Sequence, residues 1–213
     1  MKLKKLGLLT VVGVLGLSLV SCGSKTDGNT GASKENKETS VVEEQTEVVV
    51  GTSVAVVQIL DKLGVKVAGV PTASYDLPES TKDATKVGNP MSPDMEIIKS
   101  LSPDVVISTD TLGDDYEELF KSNNIPSLFV NLDSVDGLRE TIKTLAEKFN
   151  KIENGETILA ELDEKEKSLK EVASEKGEKN VMVAFAAPGG VSMLATGESY
   201  VGNLVEMVGA KNI

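Results

Sequence analysis

The sequence has 213 residues, of which 40% are apolar, 26% charged and 3% aromatic, a composition typical of a globular protein with a core. It contains one Cys and no His, which excludes an internal disulfide, His-dependent catalytic triads and the commonest zinc ligand. Its 33 acidic and 22 basic residues give a formal net charge of −11, so we predict no nucleic-acid partner.

The N-terminus has the pattern of a secretory signal. A lysine-rich start precedes an apolar run from Leu6 to Val20 that is too short for a stable membrane-spanning anchor. We predict a signal peptide over residues 1–21. The sequence Leu19-Val20-Ser21-Cys22 resembles a bacterial lipobox, which implies that Cys22 is lipidated and becomes the first mature residue. The alternative is a free Cys beside a buried helix.

Residues 22–46 are rich in Ser, Thr, Gly, Asn, Lys and Glu, and beyond Cys22 their apolar side chains are only Ala32, Val41 and Val42. Such a segment buries too little surface to offset its chain entropy. We predict a lipidated, disordered tether that keeps a globular body near the membrane and lets it reorient.

Residues 47–150 alternate between strand and helix patterns. Strands are expected at 48–50, 65–70, 105–107 and 127–130, and helices at 54–63, from Pro93 with Ser92 as its cap, at 114–121 and at 135–149. Short connections between such elements favour parallel strands joined by crossover helices. The pattern therefore predicts an N-terminal α/β lobe.

One long helix is predicted from Ile152 to about Lys176, within an interlobe segment at 151–178. Its apolar stripe comprises Ile158, Leu159, Leu162, Leu169, Val172 and Ala173, and its favourable i,i+4 pairs are Glu161–Lys165, Asp163–Lys167 and Glu166–Lys170. Because each pair contributes only about 0.2–0.5 kcal/mol, packing of the stripe must supply most of the stability. The pattern fits a surface helix or a rigid connector between two lobes.

A second α/β pattern starts at residue 179. It has an apolar run at 181–186 that predicts a buried strand, a turn at Pro188–Gly190, a strand at 191–195 and a helix at 199–208. Three elements cannot cover a two-sided parallel sheet. We therefore expect residues 179–213 to be the start of an incomplete C-terminal lobe in a truncated chain or fragment, the alternative being a naturally small second lobe.

This organisation resembles the solute-binding lipoproteins of iron-type ABC importers, in which a long helix connects two α/β lobes. A Pro-Asp-x-Glu helix start at Pro93–Glu96 before Leu101-x-Pro103-Asp104-Val105-Val106 is similar to that whole group. The version Gly88-Asn89-Pro90-Met91-Ser92-Pro93 resembles the haem-binding lipoproteins of Isd-type uptake systems in Gram-positive bacteria. The resemblance covers essentially the whole chain and implies a protein that is not an enzyme.

The resemblance implies that Met91 is an axial ligand of haem iron and that a His from the second lobe binds the opposite face. Because this sequence has no His, we expect that ligand beyond Ile213. A Met is more often a core residue, but Met91 lies between Pro90 and Ser92-Pro93, where neither helical nor strand periodicity would bury it. A thioether suits haem iron and binds hard cations poorly.

The remaining pocket residues are expected in loops at the carboxyl ends of the strands, where open α/β sheets bind ligands. They are Val54 and Ala55 at the start of the first helix, whose amides could bind a propionate, and Ala73, Ser74 and Tyr75 after the second strand. For Tyr75, an exposed loop position without a role is an equal alternative. Glu96 resembles the acidic residue with which this group docks onto its permease, the alternative being a solvated helix surface.

The leading hypothesis is a monomeric, lipid-anchored haem-binding protein on the extracellular face of a Gram-positive cell membrane. It would receive haem from surface donor proteins and deliver it to an ABC permease. A siderophore or corrinoid carrier would not need Met91. A manganese or zinc carrier is disfavoured, because such sites use His and carboxylates and this sequence has no His. An enzyme using Asp114-Asp115 or Glu43-Glu44, and an adhesion lipoprotein without a ligand pocket, are further alternatives.

Overall fold

The computed structural model describes residues 47–177, 179–187 and 190–213. The predictions of the signal peptide over 1–21, the lipidation of Cys22 and the tether over 22–46 lie outside the described residues, as do two residues of the turn predicted at 188–190. Among the helices of the described ranges, none is long and apolar enough to span a bilayer.

The elements follow one another in an alternating order. In sequence they are β1 (Val49–Gly51), α1 (Val54–Lys62), β2 (Gly69–Val70), β3 (Thr85–Lys86), β4 (Gly88–Asn89), β5 (Ser92–Pro93), α2 (Met95–Ser100), β6 (Val105–Thr109), α3 (Asp114–Ser122), β7 (Ser127–Val130), α4 (Val135–Lys148), α5 (Ile152–Lys176), β8 (Asn180–Val181), β9 (Ala184–Ala187), β10 (Val191–Leu194), α6 (Tyr200–Met207) and β11 (Lys211–Asn212), with single 3-10 turns at Glu79–Thr81 and Asp110–Leu112.

A five-stranded sheet in the order β3-β2-β1-β6-β7 organises the first part of the chain. Every neighbouring pair in it is parallel. The central strand β1 pairs with β6 in the register Val49–Val105, Val50–Val106 and Gly51–Ile107. The sheet confirms the prediction of parallel strands joined by crossover helices, although β2 is shorter than the strand expected at 65–70.

Two hydrophobic clusters cover the two faces of this sheet. Successive side chains of a strand point to opposite faces, so Val49 belongs to one cluster and Val50 to the other. The first cluster, which includes Leu60 and Leu145, packs α1 and α4 on one face. The second packs α2 and α3 on the other, and there the rings of Phe120 and Phe129 meet edge to face at 5.7 Å.

Helix α5 has the predicted bounds, but only its first half packs on the body. Ile158, Leu159 and Leu162 lie against the first hydrophobic cluster, whereas Leu169 and Val172 are exposed. Among the described residues, the second half of the apolar stripe is therefore exposed to solvent.

Charged contacts fix the middle of α5 to α4. The Arg139 guanidinium contacts Asp163 at 2.6 Å and Glu166 at 2.9 Å, and Lys170 contacts Glu166 at 2.6 Å. The hydrogen bond from Lys170, and next that from Arg139, lowers the pKa of the Glu166 carboxyl from its ordinary value. Asp163 thus pairs across to α4, whereas the i,i+4 pattern predicted Lys167 as its partner.

The prediction of a buried strand at 181–186 is wrong. The run is divided into β8, which pairs in parallel with β11, and β9, which pairs antiparallel with β10. Met182, Phe185 and Met193 are more than half exposed. An apolar run becomes a buried strand only when both of its faces are covered, and β9 and β10 form a separate two-stranded sheet.

Helix α6 agrees with its prediction and contacts the first lobe. Ser199 caps it by accepting the Gly202 amide, and Gly209 follows it with a positive φ of 81°. The Asn203 side chain accepts the Val135 amide at 3.1 Å. Because Val135 begins α4, this bond satisfies one of the amides that a helix N-terminus leaves unpaired.

Candidate functional site

The residues predicted to bind a ligand lie on loops and at a helix start that follow the parallel strands. Val54 and Ala55 follow β1, Ala73 to Tyr75 follow β2, and Met91 lies on the hairpin formed by β4 and β5. The carboxyl end of a parallel sheet is where such loops come together. One backbone bond links two of them, because the Thr72 amide donates to the Gly88 carbonyl at 2.7 Å.

Met91 lies in the turn of a short antiparallel hairpin. Gly88 pairs with Pro93 and Asn89 with Ser92, which leaves Pro90 and Met91 at the turn. The Met91 side chain is 70% exposed. This agrees with the expectation that neither helical nor strand packing buries its thioether.

Both backbone polar groups of Met91 are hydrogen-bonded. Its amide donates to Asn89 Oδ1 at 2.9 Å, and its carbonyl accepts the hydroxyl of Tyr116 in α3. Neither contact was predicted from the sequence, in which Asn89 appeared only as part of the Gly88–Pro93 motif. The Asn89-Pro90 pair is a turn signal that could have indicated the first contact, whereas the second joins residues 25 positions apart and has no local signature.

Gly88 allows the hairpin to approach the start of α2. Its φ is +98°, and a Cβ there would lie 2.9 Å from the Asp94 backbone nitrogen. Only glycine adopts this conformation without strain. The glycine of the Gly88–Pro93 motif therefore has a steric role in the shape of the Met91 loop.

The predicted helix start at Ser92 and Pro93 is wrong. These two residues form β5, and α2 begins at Met95 with Asp94 as its N-cap. Asp94 Oδ1 accepts the amides of Glu96 and Ile97, each at 3.0 Å. A carboxylate is a strong N-cap, and it displaces the helix start by two residues, so Met91 extends from a hairpin and not from a helix entrance.

The start of α1 is rigid but offers few free side-chain groups. Thr52 is buried, and its hydroxyl donates to Ser108 Oγ at 2.9 Å. Ser53 caps the helix by accepting the Val56 amide. Val54 is half-buried and Ala55 exposed, and amides in the first turn have no partner within their helix. The predicted propionate contact at Val54 and Ala55 remains compatible with this geometry.

The loop after β2 presents an exposed aromatic ring. Tyr75 is 79% exposed, Ser74 is exposed and Ala73 is half-buried. The ring is thus available to a flat ligand, and the pocket role of these three residues stays a prediction.

Glu96 lies on the solvent side of α2. Its carboxylate is 3.5 Å from Lys99 Nζ, and most of its side chain is exposed. An exposed pair at this distance adds little stability. Glu96 is therefore accessible to a basic partner, as docking onto a permease would require.

A groove of about 520 Å³ lies between α1, α4 and α5. Ala55 lines it together with Ile59, Leu138, Leu162 and Tyr200. Met91 lies outside this groove. Ala55, in the first turn of α1, is thus the one of the predicted pocket residues that lines this groove.

A site for a hard or borderline metal ion is not found in the part of the chain that the structure describes. No group of three or more His, Cys, Asp or Glu residues is close enough there to hold a metal ion. Sites for manganese and zinc use several such ligands. The soft donor predicted for haem iron, the Met91 thioether, stays a prediction.

Known proteins resemble this chain over most of its length. A family model described as periplasmic binding protein matches residues 49–213. The high-affinity heme uptake system protein IsdE of Staphylococcus aureus is 30% identical over 206 residues, which are 96% of this chain and 66% of that protein. The chain therefore spans slightly less than two thirds of the length of this relative.

Two solved structures agree with the described fold. The crystal structure of S. aureus IsdE complexed with heme superposes with a TM-score of 0.74 at 31% identity, over 78% of this chain and 65% of that one. An ABC transporter substrate-binding protein from Listeria monocytogenes EGD-e superposes with a TM-score of 0.73 at 32% identity, over 78% and 64%. The likeness confirms the predicted class, two α/β lobes joined by a long helix.

Proposed function

Because this chain belongs to the periplasmic binding protein family, we propose that it binds haem as its cargo and delivers it to the permease of an ABC importer. The observation that carries the proposal is the position of Met91. Its thioether is largely exposed at the ligand end of the sheet, on a turn whose backbone is hydrogen-bonded on both sides.

Family membership also bears on the class of protein. Periplasmic binding proteins bind solutes and are not enzymes, so the prediction that this chain is not an enzyme is confirmed. Of the acidic pairs considered as catalytic groups, Asp114-Asp115 fits this result, because both residues lie exposed in the first turn of α3. There they stabilise the helix N-terminus. The other pair, Glu43-Glu44, lies outside the described residues.

The chemistry of Met91 supports haem over a bare cation. A thioether is a soft, neutral ligand that coordinates haem iron and binds hard divalent ions poorly. Exposure alone does not distinguish Met91 from Met182 or Met193, which are also exposed. The difference is the position of Met91, whose side chain extends from a hydrogen-bonded turn next to the loops at the carboxyl end of the five-stranded sheet.

The second axial ligand of haem iron would have to come from outside these 213 residues if it is an imidazole. The sequence contains no His, so no imidazole in these 213 residues can bind the opposite face of haem. Water or added imidazole would complete the coordination. A His as the second axial ligand remains part of the proposal.

The remaining parts of the proposed pathway concern the membrane. Lipidation of Cys22 would anchor the protein to the extracellular face of a Gram-positive cell membrane, where it would act as a monomer. Surface donor proteins would supply haem, and the exposed Glu96 carboxylate would contact basic residues of the permease.

A haemin titration of residues 22–213, followed by the Soret absorbance, tests the proposal. Met91→Leu removes the sulfur at nearly constant volume, and Met182→Leu is a matched control at another exposed Met. We expect Met91→Leu to weaken haemin binding at least tenfold and Met182→Leu to leave it unchanged. Equal binding by all three proteins would reject Met91 as the ligand.

The same preparation tests the siderophore and corrinoid alternative. A carrier of those ligands should bind a ferric siderophore or a cobalamin in equilibrium dialysis, with or without the Met91 sulfur. Binding of such a ligand, together with no saturable Soret change with haemin, would replace haem as the proposed cargo.

A further inference from the structure

We infer that Asn89 and Tyr116 are positioning residues that fix the backbone of the Met91 turn and so aim the Met91 thioether at a bound haem. This inference rests on the proposed function for its ligand. It rests on the structure for the contacts themselves.

The first contact is local. Asn89 Oδ1 accepts the Met91 amide at 2.9 Å across the turn. An Asn side chain that accepts an amide two residues later forms an Asx turn, which restricts the following backbone. The amide of Met91 is thus fixed, while its side chain stays exposed.

The second contact connects the turn to the core. The Tyr116 ring packs against the second hydrophobic cluster, and its hydroxyl donates to the Met91 carbonyl. Because the ring is partly buried against this cluster, its hydroxyl is less free to follow a turn that moves away. The bond therefore transmits the rigidity of the core to Met91.

The hairpin needs such a connection. Strands β4 and β5 have two residues each, and an isolated two-stranded hairpin is marginally stable in water. Its other fixed points are the bonds from Thr72 to Gly88 and from Asp94 to Val87. Both lie at the base of the hairpin, so within residues 47–177 and the other described ranges Tyr116 provides the contact from the core to the tip.

A fixed turn lowers the entropy that binding must remove. A ligand atom already in position loses less conformational freedom when the complex forms. Losing one neutral hydrogen bond at this turn should therefore weaken haemin binding about three- to tenfold. The effect should be smaller than that of removing the sulfur itself.

The test compares Tyr116→Phe, which keeps the ring and removes the hydroxyl, with Tyr200→Phe as a matched control at the start of α6. Amide hydrogen exchange of residues 88–93 is measured without ligand. Haemin affinity and the sulfur-to-iron charge-transfer band of the ferric complex are then measured with imidazole at a fixed concentration. A role in packing alone would leave the band unchanged.

We expect Tyr116→Phe to accelerate exchange of the Met91 amide at least about threefold, to weaken haemin binding three- to tenfold and to reduce the band. Tyr200→Phe should change none of these. Asn89→Ala should act like Tyr116→Phe, whereas Asn89→Asp keeps the acceptor and should restore the protection of the Met91 amide. This Asn89 pair decides the role of the turn even if Tyr116→Phe fails to fold.

Unchanged exchange and an unchanged band in both Tyr116→Phe and Asn89→Ala would overturn the positioning role. If those two variants are unchanged while Met91→Leu weakens haemin binding, the proposed function stands and only the positioning role fails. If Met91→Leu binds haemin like the unmodified chain, the proposed function fails, whatever the exchange of the hairpin shows.

Discussion

Helices α4 and α5 approach each other closely at Gly155. The sign of the change in unfolding free energy on Gly155→Ala therefore shows whether packing or helix propensity dominates there. Gly155 lies in the first part of α5, and a Cβ built there would be 2.6 Å from the Ala146 Cβ. Carbon atoms are in favourable contact at about 3.5–4.0 Å. A Gly155→Ala side chain would therefore force the two helices apart by roughly 1 Å.

Two effects of opposite sign determine the magnitude. Replacing Gly by Ala in a helix interior stabilises the helix by about 1 kcal/mol, and overpacking a well-packed contact costs about 1–3 kcal/mol. Ala146 is buried on α4 beside Leu145, so its methyl group cannot move out of the way. We expect Gly155→Ala to lower the free energy of unfolding by about 1 kcal/mol.

Urea denaturation followed by circular dichroism measures this change at constant m-value. Ala160→Gly, at an exposed position of the same helix, measures propensity alone and should cost about 1 kcal/mol. The double variant Gly155→Ala with Ala146→Gly should lose less than the sum of the single changes, by about 1–2 kcal/mol. A Gly155→Ala protein that is more stable by about 1 kcal/mol, or additivity in the double variant, would refute the packing argument.

Three further contacts make predictions that stability measurements can check. Asp94→Ala should lower the free energy of unfolding in urea by about 1 kcal/mol, because it removes the N-cap of α2. Ser92→Ala should change it by less than about 0.5 kcal/mol. A larger loss for Ser92→Ala than for Asp94→Ala would indicate that Ser92 is the cap. Asn203→Ala should cost about 1 kcal/mol by leaving the Val135 amide unpaired, and Asn203→Asp, which keeps the acceptor, should regain most of it; equal losses would contradict the role of that bond. Two cationic neighbours lower the pKa of Glu166, so its stabilisation is present above the unfolded-state pKa and is lost as pH falls through the folded-state pKa. The Tm of Glu166→Gln should therefore lie below that of the unmodified chain near neutral pH, and the difference should disappear at acid pH. A Tm difference that does not change with pH would count against the ion pairs.

The elements with a clear period and clear ends were predictable from the sequence. Helix α5 has the predicted bounds, and β7 coincides with the strand expected at 127–130. In both cases, local composition and packing favour the same structure. The strand expected at 181–186 failed because its burial depended on partner strands, which no pattern within the run specifies.

The exposed turn position of Met91 was predictable from the sequence, but the contacts that hold this turn were not. Resemblance and local sequence together indicated Met91. The predicted start of α2 was wrong because both Ser92 and Asp94 are suitable N-cap residues by type. Which of them accepts the first helix amides depends on the backbone conformation of the hairpin, and in the structure it is Asp94. Tyr116 could not be found, since its contact with Met91 depends on how α3 packs on the sheet.

The most direct test of the central claim is iron K-edge X-ray absorption of haemin bound to residues 22–213 in the presence of imidazole. The proposed function predicts a sulfur scatterer in the first coordination shell of iron. That scatterer should disappear in Met91→Leu and persist in Met182→Leu. A first shell of nitrogen and oxygen alone in the unmodified chain, or a sulfur scatterer that survives Met91→Leu, would contradict Met91 as the haem ligand.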